Sequence, residues 1–539
     1  MKKLFFCVTF LLLSITSFSA CGRGNADINV YEEQNEASYK VAETPTAPPT
    51  PMEFSVITLS DVLQIAMARR EGIIMPDHEY LTELTEGRVR QELDLSRFEA
   101  LPDLPQIESR PDGAITFDEA VYEVNLFFEI LRQFYGAYIF FGGDDVFFPV
   151  RDGIIERFAV YDYLFTGLVY WVFHNGLNEI LNDNHFRIFN SSMVNEYEFY
   201  APFADLRFGK SERGFYSRES GRYVVDISEG GFRLSLSHDG VFYYSPVIIR
   251  PFDEDGEIFI YVPIVYDDGE ETVYRFAQMR PPTGARFADS GLAFHDGIPV
   301  VTVREMGWPF STGEHTGGNC RETARDFLRI APELRDEPVI IIDIRQNMGG
   351  NGSLGADWLL ILTEEFVPFN FRAVSAANEK TGLFVNVFGG EDIFYYAQYF
   401  MDYFGIDMYG IYEAGLVEGE WLDENTWAYG YLLDRIVHNE QLLIFLTDRV
   451  TASAAEIFAD LAFNMENTLV VGQNTSGTLL TNVTVSGLML PYSGLQFQFG
   501  GGMYVFPKGH LPEGIGLAPD VWVRGDALTA VLAMLGGLA

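Results

Sequence analysis

The pattern of apolar and polar residues divides the chain into segments of different periodicity. Between residues 53 and 190 apolar residues recur mostly at helical spacing, and Thr116–Glu119 has the form of a helix N-terminus with a capping box. Apolar positions continue at this spacing to Tyr135, and further helices are predicted over 153–175 and 176–181. We therefore predict a helical N-terminal domain over residues 53–190.

Residues 191–284 have a different texture, in which short runs of β-branched and aromatic residues alternate with turn sequences. Strands are predicted at Tyr223–Ile227, Phe232–Leu236, Phe242–Ile249, Ile258–Val265 and Glu271–Phe276. Asp-Gly and Gly-Gly dipeptides separate several of these runs. This segment is predicted to be a small β-rich insert.

Residues 285–539 have the pattern of an α/β domain. A strand is predicted over Gly297–Val303 and a helix over Cys320–Ile330. Three continuous apolar runs follow, at Val339–Ile344, Leu442–Thr447 and Leu469–Gly472. A continuous apolar run is typical of a parallel strand that is buried on both faces. The segment is therefore predicted to contain a parallel sheet covered by helices.

The first 21 residues have the features of a bacterial lipoprotein signal peptide. Two lysines precede the apolar run 4–15, which is too short to span a bilayer, and Phe18–Cys21 resembles a lipobox with Phe in place of the usual Leu. Cys21 is then the lipidated residue, and two acyl chains would anchor the protein stably on the outer side of the cell membrane. An ordinary signal peptide is the alternative. Residues 22–52 are acidic and Pro/Thr-rich, and are expected to form a disordered linker.

Composition narrows the range of functions. The chain has 539 residues, of which 48% are hydrophobic, and a net charge of −41, which argues against nucleic acid as a partner. Beyond Cys21 the only cysteine is Cys320, so no intramolecular disulfide is expected, and a nucleophilic Cys320 has no partner motif nearby. Zinc-binding, nucleotide-binding and calcium-loop motifs are missing from the sequence, and we predict no metal or cofactor.

Two loops that follow predicted buried strands contain the residues with candidate chemistry. One ends in Asn347-Met348-Gly349-Gly350, and the other contains Thr451-Ala452-Ser453-Ala454-Ala455-Glu456. Ser453 lies where a strand leads into a helix, so its hydroxyl can attack a carbonyl while the Ala454 N–H binds the developing oxyanion. Gly349 or Gly350 can present a second N–H, because no side chain blocks the approach. The alternative is a helix-capping serine and a glycine turn.

Together these loops resemble those of the C-terminal processing (tail-specific) and tricorn-core serine peptidases. The resemblance is clear over residues 297–523 and weaker over 120–187. It implies a crotonase/ClpP-like α/β core in which Ser453 forms an acyl-enzyme during peptide hydrolysis. The β-rich insert falls where this family often has a PDZ domain, but it contains no convincing carboxylate-binding loop.

The resemblance also implies the identity of the catalytic base. The tail-specific branch has a lysine at the position of Thr478, and threonine cannot act as a base at neutral pH. The tricorn-like branch uses a histidine and a glutamate, which correspond to His185 and Glu513. The alternatives are His510 as the base and Glu456 as the carboxylate. Imidazole has the pKa that a base requires near neutrality, and a carboxylate would orient it.

The predicted function is an extracytoplasmic, lipid-anchored serine endopeptidase that acts on peptides or unfolded protein through Ser453, His185 and Glu513. Two alternatives remain open. One is an inactive lipoprotein of the same fold that binds peptides or other ligands, and the other is an ester hydrolase with the same triad. A short distance between His185 and Ser453 would favour an enzyme over the binding protein.

Overall fold

The structure is a computed structural model of the chain, and it describes thirteen stretches of it. They are residues 56–71, 79–81, 114–161, 163–189, 191–252, 257–279, 287–307, 318–376, 393–407, 420–423, 426–429, 436–507 and 512–536. The predicted signal peptide, Cys21 and the predicted linker lie outside these residues, as does the alternative base His510. None of the described helices has the length and apolar character that a membrane span requires.

The described helices occur in two groups, one before and one after the β-rich segment. They are α1 (Leu59–Glu71), α2 (Phe117–Phe134), α3 (Gly143–Phe158), α4 (Thr166–Asn178), α5 (Gly318–Ile330), α6 (Ser353–Thr363), α7 (Ile393–Phe404), α8 (Ala454–Ala462) and α9 (Ala527–Gly536). The predicted start of α2 is confirmed, because the Thr116 hydroxyl accepts the Glu119 N–H at 3.3 Å and the Glu119 carboxylate accepts the Thr116 N–H at 2.8 Å.

The single helix predicted over 153–175 is wrong. Helix α3 ends at Phe158, and α4 begins at Thr166. Between them Leu164 and Phe165 form a short strand that pairs with Ala114 and Ile115. This pairing joins residues about fifty positions apart, and a local helical periodicity contains no signal for it.

The strands before the α/β core are numbered first. They are β1 (Ala114–Ile115), β2 (Leu164–Phe165), β3 (Asp183–Ile188), β4 (Ser191–Met193), β5 (Tyr197–Pro202), β6 (Phe208–Ser211), β7 (Gly214–Ser217), β8 (Val224–Ile227), β9 (Gly231–Leu236), β10 (Phe242–Pro251), β11 (Phe259–Tyr266) and β12 (Glu271–Gln278). All five strands predicted for the insert are present, at β8 to β12.

The remaining strands belong to the α/β core. They are β13 (Gly291–His295), β14 (Ile298–Thr302), β15 (Val339–Asp343), β16 (Arg372–Ala376), β17 (Glu420–Asp423), β18 (Thr426–Tyr429), β19 (Leu442–Thr447), β20 (Thr468–Gly472), β21 (Thr481–Met489), β22 (Gln496–Val505) and β23 (Val521–Trp522). Strands β14, β15, β19, β20 and β23 are adjacent in that order and parallel. The predicted mixed α/β core with a parallel sheet is confirmed.

The parallel strands are buried on both faces, as their apolar runs predict. Ile340 and Ile342 pack into one hydrophobic cluster with residues of α5, α6 and α8. Ile341, between them, packs into a second cluster with residues of α1 and α9 on the opposite face. Successive side chains of a strand point to opposite faces, so a strand between two helical layers needs apolar residues at every position.

The β-rich segment continues this sheet beyond its parallel part. Strand β9 pairs with β23 through Ser235 and Trp522, and the antiparallel strands β10, β5, β12, β11 and β8 follow. A second sheet has the order β17-β18-β16-β22-β3-β4, with β21 also paired to β22. His185 lies on β3, which pairs with β22 through Ile188 and Phe497. The histidine is therefore held by a strand next to the core and not by a helix end.

Candidate active site

Ser453 lies in the connection between β19 and α8, with a backbone conformation that few residues adopt. Its φ is 52° and its ψ is −119°. Such a conformation costs about 1–3 kcal/mol, and it persists only where the surroundings enforce it. Gly349 is one source of this constraint, because a Cβ at position 349 would lie 2.8 Å from Ser453 Cβ and 2.9 Å from Ala454 N.

The two motif loops are hydrogen-bonded to each other next to Ser453. The Asp448 carboxylate accepts the Gln346 N–H and the Thr451 N–H, each at 3.1 Å. The Ala452 N–H donates to the Asn347 carbonyl at 2.9 Å. These contacts fix the glycines of one loop against the serine of the other.

Glu456 supports the nucleophile loop, as its position three residues after Ser453 suggests. Its buried carboxylate accepts the Ser453 N–H at 2.8 Å, the Thr475 hydroxyl at 2.6 Å, and the Gly477 and Thr478 N–H groups at 2.8 Å each. Burial raises the pKa of Glu456, and these donors act in the opposite direction. Glu456 is thus a structural support, and it has no described contact with the imidazole of His185.

His185 and Ser453 are brought together although 268 positions separate them in the sequence. His185 Nε2 lies 3.0 Å from Ser453 Oγ, and both residues are 9% exposed. Burial lowers the pKa of His185 to about 4, and the positive charge of Arg187 acts in the same direction. The imidazole is therefore neutral at pH 7 and able to accept the Ser453 proton.

The other imidazole nitrogen makes no hydrogen bond of good geometry to any described residue. Nδ1 of His185 is buried. The Thr481 backbone nevertheless raises the pKa of His185 slightly, as a carbonyl near a ring N–H does. A ring that accepts the Ser453 proton at Nε2 must carry its own proton on Nδ1. We therefore regard the Thr481 carbonyl as the candidate acceptor for that N–H.

Glu513 lies beside this site, but within the part of the chain that the structure describes His185 does not donate the predicted hydrogen bond to its carboxylate. Its Oε1 accepts the Asn184 N–H at 2.7 Å, and its Oε2 accepts the Leu479 and Leu480 N–H groups at 2.7 Å each. Burial and the neighbouring Asp183 carboxylate raise the pKa of Glu513 well above its usual range. Glu513 thus holds the backbone next to His185, and its side chain does not reach the ring.

The structure separates the two glycines that were candidates for the oxyanion hole. The Gly349 N–H donates to the Asn347 side chain at 2.9 Å, so it is already occupied. The Gly349 carbonyl accepts the Met306 N–H at 3.0 Å. In a trans peptide the N–H points opposite to the carbonyl, so the Gly350 N–H points away from Met306. Of the three predicted oxyanion donors, Gly350 and Ala454 therefore have N–H groups that donate no hydrogen bond to the part of the chain that the structure describes.

Three further polar residues surround His185: Asp183, which lies two residues before it in the sequence, and Tyr135 and Thr481, for which the sequence contained no signal. The Asp183 carboxylate accepts the His185 N–H at 2.9 Å, the Tyr135 hydroxyl at 2.8 Å and the Thr481 hydroxyl at 3.1 Å. Burial raises the pKa of Asp183 to about 6. Tyr135 and Thr481 are far from His185 in the sequence, so only the fold brings them to it. No group of three or more potential metal ligands occurs among the described residues.

Comparison with known families gives a match for part of the chain. Residues 300–523 match the model of Peptidase family S41. The match confirms, for that stretch, the family resemblance of the two motif loops, and it supports the prediction of a serine peptidase. The matched stretch contains Ser453 and Glu513, whereas His185 precedes it. No curated protein matches the chain in sequence.

Several solved structures have a distantly similar fold. Mature CPAF is 12% identical with a TM-score of 0.39, and the similarity covers 78% of this chain and 95% of that one. The photosystem II D1 C-terminal processing protease is 13% identical with a TM-score of 0.33, covering 76% of this chain and 94% of that one. The tricorn protease is 11% identical with a TM-score of 0.33, covering 77% of this chain and 37% of that one.

Proposed function

We propose that this chain is a serine endopeptidase that hydrolyses peptide bonds through an acyl-enzyme, with Ser453 as nucleophile and His185 as base. The observation that carries the proposal is the 3.0 Å separation between His185 Nε2 and Ser453 Oγ. This is hydrogen-bond distance between a nucleophile and a base. The match of residues 300–523 to a peptidase family gives the reaction class independent support.

In the proposed reaction each of these groups has a role. Ser453 Oγ attacks the peptide carbonyl and gives its proton to His185 Nε2, while the Ala454 and Gly350 N–H groups bind the oxyanion. The tetrahedral intermediate collapses, the C–N bond breaks, and His185 returns the proton to the leaving amine. A water molecule, deprotonated by His185, then releases the acyl group and restores Ser453.

Glu513 acts in this scheme through the backbone. Its carboxylate accepts the N–H of Asn184, the residue immediately before the base, and the two N–H groups of Leu479 and Leu480 in the loop before β21. We assign it a positioning role and not direct contact with the ring.

A test of the proposal combines covalent labelling with hydrolysis. Purified chain from residue 22 onward is treated with a fluorophosphonate probe and, separately, incubated with an unfolded protein. We expect labelling and cleavage by the wild type, and loss of both in Ser453→Ala and His185→Ala. Ser245→Ala, a buried serine in the β-rich segment, is the matched control and should behave as the wild type. A wild-type chain that is not labelled by the probe and does not cleave the unfolded protein would refute the proposal that it is an enzyme.

One observation favours a second candidate, a peptide-binding protein without catalysis. His185 Nδ1 has no described carboxylate partner, unlike the base of a Ser-His-Asp triad. In that case the wild type would bind unfolded peptides as tightly as Ser453→Ala does, without cleaving them. Cleavage of an ester panel without cleavage of peptides would instead indicate an ester hydrolase.

We also propose that the protein is anchored outside the cytoplasm by lipid on Cys21. The support is the sequence alone: two N-terminal lysines, a short apolar run and a small-residue segment before Cys21. Cells that express the full chain should incorporate a clickable palmitate analogue into it and retain it in the membrane fraction. Cys21→Ala should lose both properties, whereas the matched control Cys320→Ala should keep them. Equal labelling of the two variants would contradict the anchor.

A further inference from the structure

We propose that the loop Thr475–Leu480 is a clamp that sets the separation between Ser453 and His185, and that Thr478 is the positioning residue at its centre. This inference deepens the proposed function and rests on it. Ser453 follows a strand of the parallel sheet, whereas His185 lies on a strand of the other sheet. Their separation therefore depends on whatever connects the two strands near the site.

The first half of the clamp binds the nucleophile. The Glu456 carboxylate accepts the N–H of Ser453, and it also accepts the Thr475 hydroxyl and the N–H groups of Gly477 and Thr478 from the clamp. Glu456 has no exposed surface, so water does not compete for these bonds. A buried carboxylate with four donors is expensive to disturb, and it holds the loop against the turn that contains Ser453.

The second half of the clamp binds the base. The Glu513 carboxylate accepts the N–H groups of Leu479 and Leu480 from the loop and that of Asn184 from β3. Asn184 directly precedes His185, so this carboxylate holds the backbone of the base against the loop. Two buried carboxylates therefore bind consecutive parts of one loop, one for each catalytic residue.

Thr478 is the residue that belongs to both halves. Its N–H donates to Glu456 at 2.8 Å, and its hydroxyl accepts the Asn184 side-chain amide at 2.6 Å. A continuous path of hydrogen bonds and peptide units thus runs from Ser453 through Glu456, Thr478 and Asn184 to His185. Thr478 is 4% exposed, and a hydroxyl does not titrate near neutral pH. Its contribution is therefore geometric.

The geometry has a measurable effect on catalysis. Proton transfer requires the base within hydrogen-bond reach of the nucleophile, and a displacement of about 1 Å can cost about 100-fold in rate. Loss of the Thr478 hydroxyl leaves the Asn184 amide without its acceptor and frees the start of β3. The expected result is a lower rate of acylation with little change in substrate binding.

The experiment compares Thr478→Val, which removes the hydroxyl at nearly constant shape, with Thr478→Ser, which retains it. We expect kcat/KM to fall about 10- to 100-fold in Thr478→Val, with KM within about threefold, and to recover largely in Thr478→Ser. Thr468→Val is the matched control, because Thr468 is also buried and its hydroxyl has no partner among the described residues. It should retain wild-type kinetics.

A double-mutant cycle tests the path itself. Asn184→Ala should lower kcat/KM as Thr478→Val does, and the double variant should be no worse than either single variant, since both remove one interaction. Fully additive losses would show that the two residues act separately and would overturn the clamp. A Thr478→Val variant within twofold of Thr468→Val would overturn it as well.

A readout independent of activity separates failure of the clamp from failure of the proposed function. The titration of His185 is followed by NMR in wild type and Thr478→Val, with the His185→Gln spectrum for assignment. Loosening of β3 admits water to the ring, so the midpoint should move upward from about 4 towards the usual 6.5. An unchanged midpoint refutes the clamp even if no substrate is cleaved. A wild type that is neither labelled nor cleaves peptides refutes the proposed peptidase function and leaves the clamp to be judged by the titration.

Discussion

The burial of His185 predicts that the proposed peptidase keeps its activity at unusually low pH. The perturbation is acidification, which protonates the imidazole and removes the proposed base. Burial and Arg187 lower the pKa of His185 from its usual 6.5 to about 4. The pH profile of kcat/KM reports the ionisation of the free enzyme, so its acid limb should have a midpoint near pH 4.

The size of the effect follows from these two values. At pH 5.5 a group with a pKa of 4 is about 97% neutral, whereas a group with a pKa of 6.5 is about 9% neutral. The same shift affects stability, because between pH 6.5 and 4 the unfolded chain binds a proton at this site and the folded chain does not. The free energy of unfolding should therefore fall with falling pH, by about 3 kcal/mol in total from His185.

The assay is the rate of fluorophosphonate labelling and of peptide cleavage between pH 3.5 and 8. Arg187→Met is the informative variant, since loss of the cation should raise the acid midpoint while burial keeps it below 6.5. Urea denaturation of wild type and His185→Gln at the same pH values measures the stability term. Because the neighbouring Asp183 has a pKa of about 6, the profile is also measured in Asp183→Asn. An acid midpoint at or above pH 6 in that variant would refute the reasoning, because it would mean that the ring is solvated or paired with an ionised carboxylate.

Three other predictions concern groups that the fold holds tightly. Gly349→Ala should lower kcat/KM by about 100-fold or more and destabilise the fold by about 1–3 kcal/mol, since the new Cβ meets backbone atoms of the nucleophile loop. Gly494 also has a positive φ, but its new Cβ would meet open space, so Gly494→Ala should lower stability alone. Equal kinetics in the two variants would contradict this. Glu456→Gln should reduce stability by about 3 kcal/mol in urea denaturation, because an amide cannot accept from all four donors, and a loss below 1 kcal/mol would be inconsistent with the buried network. Arg70→Met should cost about 1.5–3 kcal/mol in thermal or urea unfolding, since it removes the buried 2.5 Å partner of Asp520 and leaves the half-exposed Arg69, at 3.0 Å, to pair with that carboxylate. Arg70→Met combined with Asp520→Asn should cost less, and a larger loss in the double variant would reject the pairing.

The parts of the fold that the sequence predicted well are those with strong local patterns. The apolar runs at 339–344 and 442–447 became adjacent parallel strands, because a strand between two helical layers has mostly apolar residues on both faces. The capping box at Thr116 marked the start of α2 because its hydrogen bonds are local. By contrast, the short pair of β1 and β2 depends on a contact between distant residues, which no local pattern contains.

The candidate site likewise combines residues that a local sequence pattern marks with contacts that no local pattern contains. Ser453 is marked by its motif and the strand before it, and the structure places His185 beside it. Glu513 was predicted to orient the imidazole of His185, yet its carboxylate accepts hydrogen bonds from three backbone N–H groups. Backbone partners leave no trace in a sequence, since every residue except proline has an N–H. The part played by Thr478 is hidden for the same reason: in the sequence it is only the position where a lysine is missing.

The distance of 268 positions between the two catalytic candidates also has a consequence for biogenesis. Closing so long a loop is slow, because its entropy must be overcome before the contact can form. If His185 is the base, as proposed, a folding chain has a serine without a base until the segments that contain the two residues have docked. Such a chain should be inactive while it folds, and the onset of fluorophosphonate labelling after dilution from urea would time the last step of its maturation.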